Sequence, residues 1–195
     1  MTHVAFLRAI NVGGTSIIRM ADLAKTFEGM GCTKVKTYIQ SGNVVFDTKE
    51  TDTTKLEAKI EKALEKESKT GPKVLVRTLA NLEGIVRNVP LSPQANKGGW
   101  GDLKDLGDNT KLSLYVAFLK SAPTTEQEIL LDSFENEHEK FILVGKEIYC
   151  LISKNMGKVG VFTKGTFEKK LGIPMTIRNY LTMAKMLDWY PSLRT

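Results

Sequence analysis

The sequence has few of the side chains that bind metals or form nucleophile–base pairs. Its 195 residues include two cysteines, Cys32 and Cys150, and two histidines, His3 and His138. Neither histidine belongs to a cluster with metal-ligand spacing, so we expect no metal site and no Ser-His-Asp or Cys-His arrangement. We expect both cysteines to be buried thiols rather than a disulfide, and both histidines to lie near charged surface.

Long apolar runs and cofactor motifs are also missing. No run approaches the roughly 20 apolar residues of a membrane helix, and the first residues lack the charged start and cleavage site of a signal peptide. The segment Val12-Gly13-Gly14 lacks both the Gly-Lys-Ser/Thr ending of a P-loop and the GxGxxG spacing. We therefore expect a cytoplasmic protein without membrane contact, metal or cofactor.

The charge balance limits the partners only weakly. The chain has 28 Lys and Arg against 22 Asp and Glu, a net charge of +6, and these residues are spread along its length. This excess permits binding to nucleic acid, nucleotides or other anions without requiring it.

Hydrophobic periodicity predicts the same order of elements twice. The order strand, helix, strand, strand, helix, strand is that of the ferredoxin-like split unit, and it begins at VAFLR (4–8) and again at VAFLK (116–120). We predict an α+β protein of two tandem ferredoxin-like βαββαβ units, an internal duplication, plus a C-terminal helix. Residues 1–90 would form the first unit with a trailing helix, 91–110 a Gly/Pro-rich connection, and 111–195 the second unit.

The predicted strands are apolar on both faces, as in VAFL, NVVF and FILV. A strand with one face in water should alternate apolar and polar residues. We therefore expect the second face of each sheet to be covered by the other sheet, by the connecting segment or by a second protomer.

Polar residues and glycines cluster where two predicted strands end. The first and second strands of this topology run parallel, so their C-terminal ends meet at one rim, together with Lys69 and Lys73 at the start of the fourth strand. The candidate ligand-binding residues there are Arg8, Asn11, Gly13, Gly14, Gln40, Ser41 and Asn43. One hypothesis is a pocket in which the glycines expose N–H groups and Arg8 supplies charge. The other is turn chemistry, with Gly42 at positive φ, Ser41 and Asn43 bonded locally and Asn11 ending the strand.

Two further places contain secondary candidates. Lys158 and Lys164 lie in a glycine-rich basic segment (153–165) before a helix, which can hold an anion or be a solvated loop. Arg178 and Asn179 precede the last helix. Asn179 is a good N-cap, whereas Arg178 has no evident local role.

Four segments, FLRAINVGG, MADLAKTFEGMG, TYIQSGNVVF and TIRNYLTMAKML, resemble the bacterial domain of unknown function 1697 family. The family usually has Gly where this chain has Ala9, and Trp where it has Tyr180. The resemblance implies a conserved cytosolic bacterial protein with a duplicated α+β fold. It places the rim candidates other than the lysines, together with Gly42, Arg178 and Asn179, at motif positions, and it implies no activity.

The function best supported by the sequence is a binding module for a small anionic ligand or nucleotide at the rim. One alternative is a nucleic-acid-binding protein acting through basic loops. Single-strand binding through the sheet is disfavoured, because the third strand offers only Phe46 and places Asp47 beside it. Another alternative is a protein-interaction or dimerisation module without catalysis. Whether the protein is an enzyme stays open, since no nucleophile–base pair or carboxylate pair stands out.

Overall fold

The structure is a computed structural model that describes residues 1–8, 10, 18–40, 42–65, 71–89, 112–153 and 160–189. Within these residues the protein is a mixed α/β protein with two four-stranded antiparallel sheets and six helices. The strands are β1 (Thr2–Leu7), β2 (Thr33–Tyr38), β3 (Asn43–Asp47), β4 (Val74–Thr78), β5 (Leu112–Leu119), β6 (Glu139–Val144), β7 (Glu147–Ser153) and β8 (Met175–Asn179). The helices are α1 (Met20–Gly29), α2 (Thr53–Leu64), α3 (Leu79–Arg87), α4 (Thr125–Asp132), α5 (Phe167–Leu171) and α6 (Tyr180–Leu187).

The chain divides into two compact units. One contains Met1–Ile85 together with Met186–Thr195, and the other contains Val86–Lys185. The predicted connection at 91–110 lies outside the described residues. No helix in the described part of the chain is both long enough and apolar enough to span a membrane.

The two sheets have corresponding strand orders. The first unit has the order β2-β3-β1-β4 and the second has β6-β7-β5-β8. All neighbouring strands are antiparallel. As a result β1 and β2 run parallel to each other with β3 between them, as the sequence predicted, and their C-terminal ends lie at the same edge.

In the first unit, α1 and α2 cover one face of the sheet, which we call its helix-side face. Leu23 and Phe27 of α1 pack there with strand residues such as Ala5, Leu7 and Phe46. The opposite face, its second face, is also buried, since Val4, Phe6 and Val45 are completely inaccessible. The prediction that both faces are covered is therefore confirmed for this unit.

The second unit has the same layering. Leu131 of α4 and Phe167 of α5 pack against Ala117 and Cys150 on the helix-side face, while Val116 and Phe118 are fully buried on the other face. Helix α4 begins with a capping box, in which Thr124 accepts from the Gln127 N–H and the Gln127 side chain accepts from the Thr124 N–H. A tight turn at Gly145-Lys146 joins β6 and β7.

One expectation about the histidines is wrong. His3 lies inside β1, is fully buried and stacks on Phe46 with ring centroids 5.8 Å apart, so it is a core residue and not a residue near charged surface. Because β1 already begins at Thr2, one residue before it, His3 is a strand residue, and the strand places its side chain in the core. Both cysteines are free and buried, as expected. Burial raises the pKa of each thiol.

Candidate functional site

The rim of the first sheet is fixed by two backbone hydrogen bonds at the end of β1. The Leu7 N–H donates to the Gly42 carbonyl at 2.8 Å, and the Arg8 N–H donates to the Lys73 carbonyl at 2.8 Å. The end of β1, the loop between β2 and β3 and the start of β4 therefore meet at one place. This arrangement brings Arg8 beside the hairpin loop.

The hairpin loop consists of residues 39–42, because Tyr38 and Asn43 form the last cross-strand pair of β2 and β3. Among the described residues of this loop, Ile39 and Gly42 have positive φ, at 49° and 76°. A Cβ at Gly42 would lie 2.5 Å from Cδ1 of Ile10 and 2.8 Å from Cβ of Leu7. Glycine is therefore needed at this position for both backbone conformation and space, which confirms the positive φ predicted for it.

The polar side chains of the rim have different surroundings. Asn43 is fully buried, and its Nδ2 donates to the Tyr38 carbonyl at 3.0 Å. This contact is the local turn bond that the second hypothesis expected of Asn43. Gln40 is exposed and Arg8 is half-buried. Both side chains are therefore accessible to solvent, Gln40 more than Arg8.

The start of β4 contributes charge of both signs. Lys73 Nζ lies 3.3 Å from Oε2 of Glu61 on α2, and the other oxygen of Glu61 accepts from the Val74 N–H at 3.0 Å. Lys73 is thus paired in this structure, and the salt bridge is exposed. The remaining rim candidates, Asn11, Gly13, Gly14, Ser41 and Lys69, lie outside the described residues.

A family model described as a protein of unknown function (DUF1697) matches residues 1–149. The chain belongs to the DUF1697 family. The match covers all the rim residues and most of the second sheet, and it confirms the resemblance seen in the sequence. Membership in this family assigns no activity to the chain, because the function of the family is unknown.

Among solved structures, a conserved bacterial protein from Streptococcus pneumoniae has a similar fold to this DUF1697 protein. It is 21% identical, with a TM-score of 0.70 over 94% of this chain and 95% of that chain. At this identity the likeness shows the fold alone. No curated protein matches the chain.

The described secondary candidates of the DUF1697 chain have different surroundings. Lys158 lies outside the described residues, and Lys164 is exposed in the turn before α5. Asn179 Oδ1 accepts from the Leu181 N–H at 2.9 Å at the start of α6, which confirms its N-cap role.

Arg178 is held inside the second unit. It is 9% exposed, and its Nη1 donates to Thr176 Oγ1 at 2.8 Å and to the Ile177 carbonyl at 2.9 Å. Burial lowers the pKa of its guanidinium to about 10. Tyr149 lies in the same row of the sheet across Val116, and burial, with Glu147 and Tyr180 contributing, raises its pKa to about 12. Both groups are buried in the folded unit, away from an anion in solvent.

Two features escaped the sequence interpretation. Glu139 is 1% exposed, and its carboxylate accepts from the Phe162 N–H, the Thr163 N–H and the Thr163 hydroxyl. It holds the turn that ends the basic segment. Trp189 packs against Tyr38 at the edge of the first sheet. No local sequence pattern signals either contact. Among the described residues, no group of three or more His, Cys, Asp or Glu could hold a metal ion.

Proposed function

We propose that the protein binds a small anionic ligand or nucleotide at the rim of its first sheet. The observation that carries this proposal is the hairpin loop at residues 39–42. It exposes Gln40 and a β-branched residue, Ile39, in left-handed conformation next to the half-buried Arg8. Backbone strain of this kind is concentrated at functional sites.

The second unit offers an internal reference for this rim. There the Leu119 N–H donates to the Lys146 carbonyl at 2.8 Å and the Lys120 N–H to the Pro174 carbonyl at 2.9 Å, which repeats the two bonds of Leu7 and Arg8. That hairpin needs only the two turn residues Gly145 and Lys146. The longer polar loop of the first unit therefore goes beyond what closing the sheet requires, which supports a binding role.

The charges at the rim favour an anion. Arg8 supplies a guanidinium, whose planar donors suit phosphate and carboxylate. Lys73 is nearby, and its exposed pairing with Glu61 is of the kind that contributes little to stability and exchanges readily. The net charge of +6 favours approach of anions in general.

A thermal-shift series tests the proposal. Purified protein is heated with phosphate, ribose 5-phosphate, nucleoside monophosphates and a short RNA. We expect a rise of several degrees with a phosphate-bearing small ligand, and loss of that rise in Arg8→Ala. Lys120→Ala is the matched control, because Lys120 holds the corresponding place at the end of β5.

The outcomes separate the alternatives. Equal shifts in Arg8→Ala and the parent protein would reject the rim as the site. A shift with RNA alone that collapses in added salt would favour the nucleic-acid alternative through basic loops. If no ligand changes the melting temperature of the parent protein, the result favours the alternative of a protein-interaction or dimerisation module.

We also propose that the two units are ferredoxin-like, arose by internal duplication, and belong to a bacterial cytoplasmic protein. The matching strand orders and the matching bonds at the ends of β1 and β5 support a duplication. The similar structure from Streptococcus pneumoniae is consistent with a bacterial source. A crystal structure in which all four strands and both helices of one unit superpose on the other would test this, and a mismatch in either helix would count against it.

A further inference from the structure

An aromatic pair lies on the outer strand of the first sheet, directly before the hairpin loop. Tyr38, the last residue of β2, meets Trp189 edge to face, with ring centroids 5.4 Å apart and planes at 79°. The Lys36 ammonium lies 5.7 Å from the centre of the indole ring. All three side chains are at least partly exposed, in contrast to the aromatic residues of the core.

The pair lies on the same face of the sheet as Arg8. Cross-strand partners share a face, and Asn43 is opposite both Tyr38 in β2 and Phe6 in β1. Alternation along β1 then continues from Phe6 to Arg8. Two strand spacings, about 10 Å in total, separate β2 from β1. An extended ligand along the rim, past Ile39 and Gln40, would reach both Tyr38 and Arg8.

We propose that Tyr38 and Trp189 stack the nucleobase of a nucleotide whose phosphate lies at Arg8. This inference rests on the proposed anion site and names its ligand class. Aromatic side chains next to a cation suit a planar base joined to a phosphate, because the base stacks and the phosphate is neutralised. A simple sugar phosphate or inorganic anion has no group that uses the rings.

Lys36 does not prevent a base from reaching the indole ring. Its side chain is exposed, and a cation over a partly exposed indole contributes less than base–aromatic stacking does. A base can therefore take the place of the ammonium on the indole ring. The ligand is a single nucleotide rather than a nucleic-acid strand, because Phe46 on β3 packs on Phe27 in the helix-side core and offers no second stacking platform.

The test compares ligands that differ only in the base or the phosphate. In a Trp100→Phe background, Trp189 becomes the only tryptophan, since the chain has two. Adenosine, adenosine monophosphate and ribose 5-phosphate are titrated against its fluorescence and by calorimetry. We expect the monophosphate to quench Trp189 and to bind between about fivefold and 150-fold tighter than ribose 5-phosphate, the contribution of one stacked base.

Two variants of Tyr38 measure what its aromatic ring contributes to the affinity. Tyr38→Leu keeps an apolar side chain but should remove the advantage of the monophosphate over ribose 5-phosphate, whereas Tyr38→Phe should retain it. The melting temperature of each free variant verifies that it is folded. Should Tyr38→Leu fail to fold, Trp189→Leu is used with calorimetry and should lose the same advantage.

The results of these titrations distinguish failure of the stacking proposal from failure of the anion site. Equal affinity for the monophosphate and ribose 5-phosphate, with Trp189 emission unchanged, would reject the stacking site and leave the anion site standing. Equal affinity for adenosine and the monophosphate, unchanged in Arg8→Ala, would support stacking and reject the anion site. A short adenosine oligomer that binds 100-fold tighter than the monophosphate would overturn the single nucleotide as occupant.

Discussion

The β2–β3 hairpin of the first sheet and the β6–β7 hairpin of the second occupy corresponding positions, but their loops differ in length. Between β6 and β7 the turn is Gly145-Lys146, the two-residue connection that antiparallel strands favour. Between β2 and β3 the loop spans 39–42. Each loop presents one carbonyl to the central strand, at 2.8 Å in both units. The comparison separates the residues that close a sheet from those that are additional. Gly42 and Asn43 belong to the first group, and Ile39 and Gln40 to the second.

The largest expected effect comes from the glycines of the two hairpins. Gly42 has φ 76° and Gly145 has φ 62°, but a Cβ at Gly42 would meet Leu7 and Ile10 within 3 Å, whereas a Cβ at Gly145 would meet nothing within 4 Å. Gly42→Ala therefore combines left-handed strain with overpacking, and we expect it to lower the free energy of unfolding by about 3 kcal/mol. In Gly145→Ala only the left-handed strain applies, and we expect it to lower the free energy of unfolding by about 1 kcal/mol.

Urea denaturation of both variants measures this difference. Similar losses would mean that the two loops are equally tight against their central strands, and the comparison would lose its structural basis. A melting temperature for Gly42→Ala equal to that of the parent would mean that Leu7 and Ile10 relax around the new methyl group.

Two carboxylates that accept backbone N–H groups, one in each unit, give the next effect. Glu139 uses both oxygens, Oε1 for two groups of Thr163 and Oε2 for the Phe162 N–H. Glu139→Gln replaces one acceptor by an NH2 group, so a buried donor loses its partner, and we expect a loss of about 2 kcal/mol. Glu61 in the first unit also accepts a backbone N–H, that of Val74 at 3.0 Å, a bond that glutamine can accept as well, and its other oxygen pairs with the exposed Lys73 ammonium. We expect Glu61→Gln to cost under about 1 kcal/mol.

Unfolding free energies at neutral pH test the pair of carboxylate variants. Equal costs would show that the second oxygen of Glu139 contributes no more than the oxygen of Glu61 that pairs with Lys73. Loss of helix α5 in Glu139→Gln, seen as reduced helical circular dichroism, would add that the Phe162–Thr163 turn is needed to start that helix.

The parts of this molecule that sequence predicts are those whose cause is local or periodic. The positive φ of Gly42, the cap at Asn179 and the capping box at Thr124 each follow from a few neighbouring residues. The order of strands follows from the order of elements. Glu139 and Trp189 were missed because their partners are more than 20 residues away, and nothing near them in the sequence marks the contact. His3 was misjudged because a short polar start conceals how early β1 begins.

The buried histidine of the first unit gives a smaller, pH-dependent effect. Burial lowers the pKa of His3, and among the described residues its Nε2 has no hydrogen-bond partner. The unfolded chain, with a histidine pKa of about 6.5, then binds more protons near pH 6 than the folded chain does. Stability should fall as the pH drops through that value and level off below the folded pKa.

His3→Phe tests this effect, because phenylalanine retains stacking on Phe46 and does not titrate. The difference in unfolding free energy between parent and variant, measured from pH 7.5 to 5.5, should grow in favour of the variant toward low pH. A difference that stays constant over this range would mean that His3 is protonated as easily inside the unit as in the unfolded chain.

The smallest expected effect bears most directly on the function. Ile39 is the first residue of the loop at 39–42, and Val144 is the last strand residue before the turn at Gly145-Lys146. The two side chains are equally accessible, at 50% and 49%, but of the two only Ile39 has positive φ. Asparagine tolerates left-handed backbone, whereas in a strand it is disfavoured. Ile39→Asn should therefore stabilise the protein by about 0.5 kcal/mol, and Val144→Asn should destabilise it by a similar amount. If both variants lose stability, Ile39 is not strained, and the longer hairpin has no energetic cost that a ligand site would need to explain. If Ile39→Asn is more stable but binds the rim ligand as well as the parent does, the strain is incidental and Gln40 and Arg8 alone define the site. Only a variant that gains stability and loses affinity links the strained loop to binding.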